Sequence, residues 1–297
     1  MVALINTAPF AHLYPFESNY LEIDGLDYHY LDEGAGEPML MVHGNPTWSF
    51  YFRALVSAFS GDRRVIVPDH IGCGLSAKPP ATRYPFNLQR RVEDLSALMD
   101  HLALTQPVTL VVHDWGGMIG LSWALENLQA VARIVIMNSA AFFPPHGRPL
   151  PKRLRAIRNG KALMQSMVLG LNLFARAALY MAPHRRLPTD VKAGLIAPYN
   201  SRRNRLATLE FVRQIPLSVT DPGGDIVARV DRGLRKICSR PTLILWGARD
   251  FVFDRAYFDA WRCRLPDAEA HWFEDAGHYL LEDIPEKIVG HMQRFLL

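Results

Sequence analysis

Cysteine is scarce in this 297-residue chain: Cys73, Cys238 and Cys263 lie far apart and form no CxxC pair. Neither a disulfide framework nor a zinc site is indicated, and a reducing compartment is the simpler setting. The first ten residues, MVALINTAPF, lack a basic start and a long apolar run. A secretory signal is therefore not expected, and a cytoplasmic location is. Nor is there an unbroken membrane span. Residues 163–182 come nearest, but Gln165, Ser166, Asn172 and Arg176 interrupt them, which predicts a pair of lid helices. Ligand clusters, dinucleotide glycine patterns and phosphate-loop spacing are also missing, so no metal or organic cofactor is expected.

What is present is ordinary for a compact globular protein: 49% hydrophobic and 21% charged residues, with 20 Gly and 21 Pro. The length suits one large domain, or a core with an inserted lobe. A net charge of +4 is too small to suggest nucleic-acid binding, yet it is unevenly placed. Residues 146–236 hold 18 Lys and Arg against 5 Asp and Glu, leaving 15 and 24 for the rest of the chain.

Residues 18–33 read as a hairpin turning at Asp24-Gly25. Short apolar runs follow at 38–42, 65–67, 108–112, 131–137, 242–246 and 270–273, with helical patterns between several of them. Such alternation predicts an α/β fold with a mostly parallel sheet. Between Phe142 and Lys236 the alternation stops, prolines cluster at 144, 145, 149 and 151, and the sequence turns basic and helix-like. The expected organisation is a discontinuous core, residues 1–141 and 237–297, with a helical cap over 142–236.

The segment VVHDWGG (111–117) joins a strand to a helix, the setting of a nucleophile elbow, with Asp114 at the nucleophile position. Gly116 supplies the small residue two places later, while Val112 stands where a glycine is usual. A carboxylate is anionic at neutral pH and attacks saturated carbon without a base. Its ester can be opened by water, which does need one, and His278 in DAGHY, near the C-terminus, is the candidate. Chain order then asks for an intervening acid. Asp250, in LWGARD past a strand end, is favoured over Asp254, whose position before a helical stretch reads as an N-cap. His43 and His113 read as braces for their turns. In HGNP (43–46) the amide of Asn45, with that of Trp115, supplies backbone donors, and the two side chains add N–H groups for a departing anion.

Taken together, HGNPTW, VVHDWGG, WGARD and GHY resemble the haloalkane dehalogenases and their relatives in the α/β-hydrolase superfamily, over almost the whole chain. The resemblance implies Asp114 as nucleophile, His278 as base, Asp250 as acid, and Asn45 with Trp115 as the leaving-group pair. One branch takes its acid from a glutamate after the strand leading into the lid, where this chain has Asn138. An acid at Asp250 combined with Asn45 is similar to the third subfamily, which includes the β-lactone decarboxylases of bacterial long-chain olefin biosynthesis. The cap segments APYNS (197–201), Asn204-Arg205 and 211–216 are similar to those proteins too.

A cis-β-lactone with two long alkyl chains would then give a cis-alkene and carbon dioxide, through attack of Asp114 on the ring carbon or on the carbonyl. A haloalkane dehalogenase would use the same five residues. An epoxide hydrolase would need cap acids, for which Tyr180 and Tyr199 are available. A non-catalytic docking scaffold would use the basic cap. The expected partners are a small hydrophobic substrate and, through that cap, an acidic partner enzyme or an anionic membrane surface; nucleic acid is not expected.

Overall fold

The computed structural model describes residues 5–237 and 239–297, so Cys238 lies outside the described residues, as does the side chain of His146. Of the other cysteines, Cys73 is buried and Cys263 exposed, both as free thiols.

β1 (Asn19–Ile23) and β2 (Leu26–Glu33) form an antiparallel hairpin whose turn runs through Asp24 and Gly25 at φ of 51° and 69°. Positive φ at both central residues matches the right-handed twist of the flanking strands. β3 (Glu37–Val42), β4 (Arg63–Pro68), β5 (Val108–Asp114), β6 (Val131–Ser139), β7 (Thr242–Gly247) and β8 (Glu269–Phe273) follow. The sheet order is β1-β2-β4-β3-β5-β6-β7-β8. β2 pairs antiparallel with β4, and every pairing from β4–β3 to β7–β8 is parallel.

Side chains alternate along a strand, and both faces of this sheet are covered. Met39, Met41, Val65, Val67, Val111 and Leu245 point to one side, against α1 (Arg53–Phe59) and, late in the chain, α11 (Leu280–Asp283) and α12 (Pro285–Leu296). Leu40, Val42, Ile66, Leu110, Val112 and Trp246 point to the other, against α2 (Leu88–Leu102), α3 (Trp115–Glu126) and α10 (Arg255–Arg264). α2 starts where Asn87 Oδ1 accepts the Arg90 N–H at 2.8 Å, an N-cap, and stops at Ala103 in the left-handed region.

The chain between β6 and β7 forms α4 (Lys152–Arg158), α5 (Ala162–Leu171), α6 (Leu173–Met181), α7 (Thr189–Ile196), α8 (Leu206–Arg213) and α9 (Gly224–Ile237). Leu154, Ile157, Val168, Leu169, Leu209 and Val212 give α4, α5 and α8 a small core of their own. α9 differs: Val227, Val230, Leu234 and Ile237 join the core that contains α3. α5 and α6 meet at 70° across Asn172, which adopts φ 57° and donates its amide to the Tyr199 carbonyl at 3.1 Å. Asparagine tolerates that left-handed conformation better than most residues. Among the described residues no single helix is long and apolar enough to cross a membrane.

Candidate active site

β5 ends at Asp114, which turns into α3 with φ 52° and ψ −123°. A non-glycine residue held there is strained, and such strain concentrates at functional sites. The turn is held in place: the β5–β6 register shifts so that Asp114 faces Ser139, whose hydroxyl donates to the Asp114 carbonyl at 2.5 Å. Two glycines permit the close approach. A Cβ on Gly116 would lie 1.9 Å from the Val42 carbonyl oxygen, and one on Gly44 would lie 2.1 Å from Asp114 Oδ1.

The Asn45 amide donates to Asp114 Oδ1 at 2.7 Å, and the Trp115 amide also donates to this carboxylate. The Asn45 side chain donates from Nδ2 to the Thr208 carbonyl at 3.1 Å, tying the β3–α1 loop to α8. The Trp115 ring packs against Phe211 at 5.2 Å, and Phe211 lies 3.5 Å beneath the buried guanidinium of Arg91. His43 donates from Nδ1 to the Gly44 carbonyl at 2.7 Å and accepts the His70 N–H on Nε2 at 3.1 Å, which braces the loop carrying Asn45.

His278 follows β8 and α11 begins two residues later, so its imidazole comes over the strand ends. Its Nδ1 lies 2.7 Å from Asp250 Oδ2, and its Nε2 lies 3.6 Å from Asp114 Oδ2. Asp250 Oδ1 accepts the amides of Val252 and Phe253 at 2.7 and 3.1 Å. Its Oδ2 also accepts Asn138 Nδ2 at 2.9 Å. Asn138 is the residue that sequence reasoning noted only as a missing acid. It sits at φ 31° near the end of β6 and clamps Asp250 from the neighbouring strand. No local pattern announces that role, because the two residues are 112 positions apart.

Asp254 caps α10, its carboxylate accepting the Ala256 amide at 3.0 Å, and pairs with Arg148 at 2.9 Å. His113 donates from Nε2 to the His278 carbonyl at 2.9 Å, and its ring lies 4.6 Å from that of His278. Burial, reinforced by His278, holds the His113 pKa well below the ordinary histidine value.

Burial opposes a charge on His278, but the carboxylates of Asp250 and Asp114 outweigh it and raise its pKa. Burial raises Asp114, against the pull of His278 and of the Trp115 and Asn45 amides. Asp250 ends up lowered: burial works against its charge, and His278, the backbone donors and Asn138 more than compensate.

Asp114, Asn45, Trp115 and His278 border a cavity of about 400 Å³, whereas Asp250 stands behind His278. Much of the wall is carbon, including Met118, Phe142, Leu154, Ile157, Met164 and Phe174. Apolar walls around a few convergent polar groups are the usual form of a small-molecule site. Neither tyrosine expected as an epoxide acid borders this cavity: Tyr180 is exposed, and buried Tyr199 directs its hydroxyl to the Thr47 carbonyl.

A family model described as the alpha/beta hydrolase fold matches residues 37–285. The chain is 44% identical over 96% of its length to a cis-3-alkyl-4-alkyloxetan-2-one decarboxylase of Shewanella oneidensis, covering 89% of that protein. It is 42% identical to a protein of the same name from Xanthomonas campestris, over 95% of this chain and 97% of that one. Among solved structures, a haloalkane dehalogenase of Agrobacterium tumefaciens superposes with a TM-score of 0.83 at 23% identity, covering 94% of this chain and 96% of the other, a likeness of fold. The sheet, the strained aspartate at its centre and these similarities agree: the chain belongs to the α/β-hydrolase fold family, in the group that includes those decarboxylases.

Proposed function

We propose that this protein is a cis-β-lactone decarboxylase, converting a 3,4-dialkyl oxetan-2-one into a cis-alkene and carbon dioxide in long-chain olefin biosynthesis. The carrying observation is the 42–44% identity, along nearly the whole chain, to two proteins named for that reaction. Geometry supports it through a nucleophilic carboxylate at the floor of an apolar cavity suited to alkyl tails.

In this reading Asp114 Oδ2 attacks the saturated ring carbon bonded to the ring oxygen. A bond forms from Asp114 to carbon as the ring C–O bond breaks, and the side-chain N–H groups of Asn45 and Trp115 receive the released carboxylate. The C–C bond to that carboxylate then breaks, its electron pair becomes the double bond, and the Asp114–carbon bond breaks with its electron pair returning to the Asp114 oxygen. Carbon dioxide leaves and Asp114 returns unchanged, with no net proton gained or lost. Inversion followed by anti elimination preserves cis geometry. Asp250 orients His278, which faces Asp114 and steadies its charge. No cofactor is needed. Residues 142–236 serve as the cap except for α9, which returns to the core beside α3, and the basic character of the cap suits an acidic partner enzyme or an anionic membrane at the cytoplasmic face.

One observation favours a second reading. The His278–Asp250 pair stands 3.6 Å from Asp114 as a base for water, which decarboxylation does not require but hydrolysis of an alkyl ester by a haloalkane dehalogenase does. Separate incubations with a dialkyl cis-β-lactone and with 1,2-dibromoethane decide between them. Alkene from the lactone is expected; bromide release without alkene would transfer the protein to the dehalogenases. A trans-alkene from pure cis-lactone would exclude the stereochemical route.

A further inference from the structure

We propose that the outer face of α4, α5 and α6 docks on an anionic lipid bilayer, from which the cavity loads its substrate. The loading step rests on the proposed lactone chemistry, while the docking step stands on the surface alone.

Residues 146–189 contain nine Lys and Arg and no Asp or Glu. Arg148, Arg158 and Arg185 reach carboxylates elsewhere in the fold. Among the described residues Lys152, Arg155, Lys161, Arg176 and Arg186 make no ion pair, and all five are exposed; Arg153 is exposed too but borders the cavity. Such a surface meets anions at little cost, and each basic residue near an anionic leaflet adds attraction that salt screens.

Apolar side chains stand among these cations. Leu163, Leu171 and Tyr180 are 77%, 66% and 70% exposed, three of the seven large exposed hydrophobics among the described residues. All three lie on the α5–α6 pair, whose 70° bend prevents it from crossing a bilayer as one straight helix. Isolated apolar points between long cationic side chains are poorly matched to a protein groove. They match a headgroup layer, where the points insert and the cations stay at phosphate level.

The same helices wall the cavity on their inner side, through Leu154, Ile157, Met164, Phe174 and Met181. A dialkyl substrate dissolved in lipid would therefore pass across one layer of helix to reach Asp114.

Flotation with phosphatidylglycerol-containing vesicles, without substrate, tests this. The wild-type chain should float with anionic vesicles at low salt, less at high salt, and little with pure phosphatidylcholine. Leu163→Glu/Leu171→Glu should weaken partitioning by about tenfold or more, as should Lys161→Glu/Arg176→Glu. None of these four residues borders the cavity, so circular dichroism and turnover of a short-chain, water-soluble lactone should match wild type in both variants. The inference is overturned if the wild type stays with the soluble fraction, or if the leucine variant floats undiminished while the charge variant does not. The latter result would make an acidic protein the occupant. A wild type that floats but turns over no short-chain lactone would sink the functional reading and leave docking supported.

Discussion

Asn138 Nδ2 lies 2.9 Å from Asp250 Oδ2, the same oxygen that His278 Nδ1 approaches to 2.7 Å. The other end of that amide accepts the Gly247 N–H at 2.7 Å, so one side chain on β6 holds the end of β7 and the acid beyond it. Asn138→Ala should leave a buried carboxylate oxygen and a buried N–H short of partners. The expected cost is about 1–3 kcal/mol, read from urea unfolding, with a lowered kcat. Asn138→Asp should be worse for activity, because a second carboxylate beside Asp250 raises the pKa of one of them. Wild-type stability and kcat in both variants would contradict the clamp.

Asp114→Asn should reduce turnover of lactone and of bromoalkane by at least about a thousandfold, since nucleophile removal costs most of an enzyme's acceleration. His278→Ala should separate the two substrates. Alkene formation, which moves no proton, should fall far less than bromide-linked hydrolysis. An alkyl ester on Asp114 should accumulate from the bromoalkane and be seen by intact-protein mass spectrometry. Absence of any adduct in that variant counts against a covalent Asp114.

Activity against pH follows from the directions of the shifts. Attack needs Asp114 ionised, and its pKa is raised, chiefly by burial. Alkene formation should therefore rise with pH through a limb above the ordinary aspartate range, then level off. Bromide-linked turnover also needs neutral His278, whose pKa is raised by Asp250 and Asp114 against burial. Its limb should lie above the ordinary histidine range. Superimposable profiles for the two substrates would refute the separate proton requirements.

Stability should fall steeply in mild acid. Burial lowers the His43 pKa to about 4 and holds those of His70 and His113 well below the usual value. As pH drops below the unfolded value near 6.5, the unfolded chain binds protons that these three rings refuse. Each contributes a loss of about 1.4 kcal/mol per pH unit until its folded pKa is reached. The urea midpoint at constant m-value should fall as protons are taken up on unfolding, by less than the three rings alone would give, because the raised Asp114 and His278 hold protons in the fold. A flat stability profile from pH 7 to 5 would refute neutral burial.

Gly44→Ala should keep the fold and lose the site. The added methyl would stand 2.1 Å from Asp114 Oδ1, so either the loop or the nucleophile must move. A displacement near 1 Å costs about a hundredfold in kcat, with far-ultraviolet circular dichroism unchanged. Full activity would mean that the Asn45 amide does not need its present position.

Much of the architecture was legible because its signals are local. Each apolar run expected as a strand lies within one of β3 to β8, and the Asp24-Gly25 turn adopts the positive φ values its residues favour. Residues 163–182 carry two helices broken at Asn172, one of the polar residues that argued against a span. The group Asp114, Asn45, Trp115 and His278 was also legible as motifs, and the fold brings all four to the wall of one cavity. Asn138 as a clamp, Thr208 as acceptor of the Asn45 side chain, and Phe211 between Trp115 and Arg91 were not. Those contacts join residues of different elements, and no spacing rule encodes them.

Alternating strands and helices, a carboxylate at a strand-to-helix turn and an acid-free basic stretch are properties of neighbouring residues, so the sequence by itself determined them. Only the tertiary structure decided that Asp250 rather than Asp254 touches His278, because that choice is made by distance across strand ends. It also decided which shifts prevail at Asp114 and His278, since each depends on burial and on charges brought close from distant parts of the chain. The outward display of Leu163, Leu171 and Tyr180 belongs there too: other apolar side chains of α5 and α6 face the cavity or the small core that α5 shares with α4 and α8.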